Sequence, residues 1–75
     1  MYQIRKENVE DLKFIKLKSY AEILEISDVY VINIFSGKHA TKAPIAKGII
    51  SIAFGIPIKD IQMDKLLKKY FKKVK

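Results

Sequence analysis

Between Ser27 and Gly37 the chain reads SDVYVINIFSG, and the conformation of its centre decides which fold class the molecule can enter. VYVINIF is dense in β-branched and aromatic residues, and on propensity alone it reads as a strand. Other signals point to a helix. Ser27 is a good N-cap, Asp28 follows it in a first turn where the helix dipole favours negative charge, and Gly37 offers a left-handed stop. Val31 and Ile34 are three residues apart, which places them on one helical face. These features predict a helix over Asp28–Phe35, with Val31, Ile34 and Phe35 turned to the core.

Helical spacing recurs on both sides. Leu17, Tyr20, Ala21 and Leu24 follow one another at intervals of three and four, one face of a preceding helix. Further upstream, Asn8 before VEDLKFI reads as a cap, with Glu10 and Asp11 in the first turn. Downstream, Thr41 reads as the cap of a helix with Pro44 in its first turn, an inner stripe of Ile45, Ile49, Ile52 and Ala53, and Gly55–Pro57 as its end. Gly48 inside that helix weakens it unless close packing requires it. Leu66, Leu67, Tyr70, Phe71 and Val74 opposite a row of lysines predict a basic amphipathic helix over residues 64–75. Residues 1–7 read as a flexible basic arm or, from the alternation of Tyr2 and Ile4, as a short strand.

With 75 residues the chain is expected to form a single domain over residues 1–75, of a size that buries roughly 60% of its unfolded surface. It has no cysteine and one histidine, so neither a disulfide framework nor a thiolate metal site is available. Neither a Ser/His/Asp nor a Cys/His pair occurs, and GKHATKA lacks P-loop spacing, so no enzymatic activity, no cofactor and no metal site are expected. No apolar run approaches the roughly 18 residues of a membrane span, and a cytoplasmic, nucleoid-associated protein is expected. Fifteen Lys and Arg stand against eight Asp and Glu, a formal charge of +7 with a pI near 9.7. Such a field favours a polyanionic partner, nucleic acid before an anionic membrane or an acidic protein.

The stretch from Leu17 to Gly37 resembles the helix-turn-helix of the phage-repressor and Cro family, of Xre type. Ala21 matches the small position of the first helix, Ile26 and Ser27 the turn, Val31 and Ile34 the apolar positions of the recognition helix, and FSGK its closing Gly-Lys loop. APIAKGIISIAFGIPIKDI is similar to the family's next helix and its exit, so the likeness runs from about Asn8 to Ile61. Two departures stand out: Leu17 where the family usually has a Gln that grips phosphate, and Glu25 where a turn Gly is usual.

The resemblance implies an all-α, lambda-repressor-like bundle of about five short helices. It also implies a sequence-specific transcriptional regulator, phage-encoded or bacterial, that binds double-stranded DNA with Asp28–Phe35 in the major groove. Lys18, Asp28, Val29, Tyr30, Asn33, Lys38, His39 and Lys42 are then the expected DNA-binding residues. Val29 and Tyr30 suit thymine methyls, Asp28 a cytosine amine, Asn33 an adenine or a phosphate, and Lys38 a phosphate. His39 reads as an exposed loop side chain rather than a metal ligand. One alternative is a protein-interaction module, an antirepressor or regulator partner, using the apolar outward positions Val29, Tyr30 and Ile32; a second is a general nucleic-acid or membrane-surface binder without sequence choice, using the basic tail, and homodimerisation is compatible with each.

Overall fold

The computed structural model describes residues 1–74. Alternation of Tyr2 and Ile4 gives a first strand, β1 (Tyr2–Ile4), and Ile4 goes into the core. Its antiparallel partner is β2 (Phe71–Lys73) from the other end of the chain, with Tyr2 opposite Lys73, Gln3 opposite Lys72 and Ile4 opposite Phe71. The Arg5 amide donates to the Tyr70 carbonyl and the Val74 amide to that of Met1, both at 2.8 Å. On its second edge β1 exchanges two 2.7 Å hydrogen bonds with Thr41.

The molecule is therefore mostly helical but not all-α, and residues 2–4 are a paired strand rather than a flexible arm. The expected helix over 64–75 is corrected as well: α4 (Met63–Tyr70) ends at Tyr70, and Phe71 is extended at φ −130°. Continuing the helix would stack Lys72 on Lys68 and Lys73 on Lys69, like charges four residues apart. Extension separates them, satisfies β1 and still buries Phe71. Lys75 lies outside the described residues.

The first helical segment is a 3-10 helix over Lys6–Leu12, and Asn8 lies inside it rather than capping it. The Asn8 side chain is committed elsewhere, donating to the Lys69 carbonyl at 2.8 Å near the end of α4. Next come α1 (Leu17–Leu24), α2 (Asp28–Phe35) and α3 (Ala43–Phe54). The strand propensity of VYVINIF is overridden, as its flanking signals predict: Ser27 caps α2 by accepting from the Tyr30 amide at 3.0 Å. Val31 and Ile34 are fully buried and Phe35 nearly so, its ring 5.4 Å from that of Tyr20 on α1.

Thr41 does not cap α3, whose N-cap is Lys42 without a side-chain hydrogen bond. Thr41 is wholly buried, its backbone held by Tyr2 and its hydroxyl turned to the Tyr30 hydroxyl at 2.9 Å, and it stands one residue before the N-cap position. Ala46, Ile49, Ile50 and Ala53 face inward from α3, while Ile45 and Ile52 are half-buried. Gly48 is there for close packing: a Cβ would lie 2.6 Å from Leu24 Cδ2 on α1. Among the described residues no helix is long and apolar enough to cross a membrane.

Candidate nucleic-acid interface

α1 and α2 are joined by Glu25, Ile26 and Ser27 alone, and the backbone of this turn explains how so short a link holds. Glu25 sits in the left-handed region at φ 56°, ψ 44°, its amide reaching the Glu22 carbonyl, while the Ile26 amide donates to Ala21 at 3.0 Å. That pair is a Schellman closure, whose left-handed position usually carries glycine. Half-buried Ile26 then packs against the core, and Ser27 starts α2 at once.

With Val31, Ile34 and Phe35 inside, α2 presents Asp28, Val29 and Ile32 to solvent, and Asn33 stands half-buried at the side. Val29 is 65% and Ile32 50% exposed, and Ile23, two residues before the turn, is 62% exposed. Tyr30, expected to face outward, is half-buried, and its hydroxyl pairs with the Thr41 hydroxyl at 2.9 Å. Its role here is to tie α2 to the start of α3.

The segment after α2 is fixed by one carbonyl. Asn33 O accepts from the Lys38 amide at 3.0 Å, the His39 amide at 3.3 Å and the Ser36 hydroxyl at 3.1 Å. Gly37, at φ 83°, lets the chain turn there, and its own carbonyl accepts from the Gln3 side chain at 2.6 Å. Lys38, His39 and Lys42 are exposed on this anchored segment, which Thr41 fastens at its far end. Lys18 is exposed on the first turn of α1, which packs on α2.

Asp28, Val29, Asn33, Lys38, His39 and Lys42 are thus brought together along α2 and the loop that follows it. Lys18 stands apart on α1, and Tyr30 turns inward. Among the described residues the ion pair seen is Lys13–Glu10, at 3.8 Å, so the lysines around α2 carry unneutralised charge. No group of three or more His, Cys, Asp or Glu able to hold a metal occurs among the described residues.

Reading the sequence by helical periodicity did not single out Ile23, or Lys6 and Lys72, as members of a surface. Ile23 lies off the inner stripe of its helix, a signal that was available. Lys72 is reached only once residues 71–73 are read as a strand. No family model matches the chain, and no match was found among curated proteins or solved structures.

Proposed function

We propose that the chain binds duplex DNA with sequence preference, laying the exposed side of α2 in the major groove, and acts by binding rather than catalysis as a regulator of transcription. The observation that carries this reading is the construction around α2. An eight-residue helix follows a three-residue turn, exposes its first turn, and is closed by a hydrogen-bonded loop bearing Lys38, His39 and Lys42. A helix of this length is about 12 Å long and about 10–12 Å across with its side chains, close to the roughly 12 Å width of the groove.

The chemistry of the exposed side favours particular readout. Val29 and Ile32 offer apolar contact to thymine methyls, Asp28 accepts from a cytosine amine, and the Asn33 amide suits an adenine edge. Tyr30 supports this surface as a positioning residue through Thr41. The lysines supply the salt-dependent attraction to phosphate that gives most of the affinity for any sequence.

A second reading draws on one specific observation, the exposure of Ile23, Val29 and Ile32 together. Three large aliphatic side chains on two adjoining helices suit a protein partner, whose interface they would enter as buried apolar contacts.

A titration of isotope-labelled protein with a short duplex separates the two. Amide shifts concentrated at residues 28–33 and 38–42 support DNA in contact with α2. Shifts confined to residues 63–74, or none, contradict it.

A further inference from the structure

Two lysines distant in sequence, Lys6 and Lys38, meet at the C-terminal end of α2, and a third, Lys72, stands beside Gln3, whose side chain reaches the same end. Lys38 follows the helix directly, its backbone fixed on the Asn33 carbonyl. Lys6 reaches the same place from the start of the 3-10 helix: its Cε lies 3.0 Å and its Nζ 3.8 Å from where a Cβ on Gly37 would stand. Lys72 is brought next to Gln3 by the sheet. It is paired with Gln3 across the two strands, and alternation puts both on the face opposite Ile4 and Phe71. Paired residues on one face lie about 5 Å apart at Cβ. The Gln3 side chain itself is bonded to the Gly37 carbonyl.

All three lysines are exposed, and none of them enters an ion pair among the described residues. Holding three like charges at one edge is unfavourable unless an anion serves them. The negative end of the α2 dipole compensates part of this, but it requires only one cation and acts within the helix's last turn. The arrangement fits a row of phosphates, because the backbone of a duplex flanks the groove a helix occupies and so passes beside the helix's ends.

We propose that Lys6 and Lys72 are phosphate-binding residues which, with Lys38, clamp one strand of the DNA backbone at the end of α2. The N- and C-terminal strands pair so as to deliver Lys72 to that edge, and Gln3 fixes the sheet to the loop. The clamp rests on the reading that α2 faces DNA.

The test measures affinity for a duplex of about 20 base pairs of arbitrary sequence as salt is varied, for the unsubstituted protein and for Lys6→Gln, Lys72→Gln, Lys38→Gln and Lys13→Gln. Lys13 is the control, paired with Glu10 and about 14 Å along the 3-10 helix from Lys6. Lys6→Gln and Lys72→Gln are each expected to lower the slope of log K against log salt by about 0.9. That makes the affinity lost between 50 and 200 mM salt about threefold smaller. Melting temperatures should stay unchanged. If both variants behave as Lys13→Gln does while Lys38→Gln lowers the slope, the clamp is overturned and the α2 reading stands. Slopes that stay unchanged while melting temperatures fall assign the lysines to the helix dipole and overturn the clamp equally. Failure of the unsubstituted protein to bind any duplex overturns both.

Discussion

Glu25→Gly should stabilise the protein, although it removes a side chain and adds backbone freedom. Glu25 occupies the left-handed region at φ 56°, ψ 44°, where an L-residue costs about 1–2 kcal/mol because Cβ crowds the following carbonyl. Glycine has no such cost, but it gives the unfolded chain about 0.4–1 kcal/mol more entropy to lose. The balance is a gain of roughly 0.5–1 kcal/mol. In a domain of this size each kcal/mol moves the melting temperature by about 4–8 °C, so a rise of roughly 2–8 °C is expected.

Glu25 is exposed at the C-terminal end of α1, where its charge opposes the dipole, so Glu25→Ala serves as control for loss of charge with the strain retained. Thermal unfolding followed by far-ultraviolet circular dichroism compares the three proteins. A Glu25→Gly protein melting no higher than Glu25→Ala would refute the strained turn, and with it the account of how α1 and α2 are held.

Two further predictions concern the core. Gly48→Ala gains up to about 1 kcal/mol of helix propensity but places its Cβ 2.6 Å from Leu24 Cδ2. The end of the half-buried Leu24 side chain must shift to admit it, so Gly48→Ala should stabilise a Leu24→Ala chain more than it does the native chain, with a coupling of about 0.5 kcal/mol or more in denaturant titrations; equal effects in both backgrounds would exclude the contact. Burial pushes the Tyr20 hydroxyl up to about 12 from its ordinary value of 10.0. Because the folded state holds this proton after the unfolded chain has released it, stability is full below about pH 10 and falls as pH rises through about 12. Tyr20→Phe should flatten that alkaline loss, while weakening the fold at neutral pH by orphaning the Leu12 carbonyl, to which the hydroxyl donates at 2.7 Å. An unchanged alkaline profile would show that Tyr20 is not the group responsible.

What was legible in the sequence was local. Ser27, Val31, Ile34 and Gly37 specify α2 within eleven residues, and they prevail over a strand-prone composition because one face fills the core. The helix spanning Tyr20 and Ala21 was readable for the same reason. The misreadings fall where the two ends of the chain meet the middle. Asn8 looks like a cap until its partner proves to be the Lys69 carbonyl, and Thr41 until its partners prove to be Tyr2 and Tyr30. Phe71 suits both the helical stripe and the strand alternation, and only pairing with Ile4 decides between them. Periodicity carries no information about such distant partners. The same limit applied to the candidate interface: Asp28, Val29, Lys38, His39 and Lys42 follow from the pattern of their own segment, whereas the inward turn of Tyr30 depends on Thr41.

The most direct test of the α2 reading is a selection of bound duplexes from a fully randomised DNA pool, run in parallel for the unsubstituted protein and for a Val29→Ser/Asn33→Ala variant. Direct readout predicts a discrete motif for the first and a loss of preference at particular base pairs, worth about 1–3 kcal/mol each, for the second. Recovery of no motif by the unsubstituted protein, or of the same motif undiminished by the variant, would contradict the placement of α2 in the major groove.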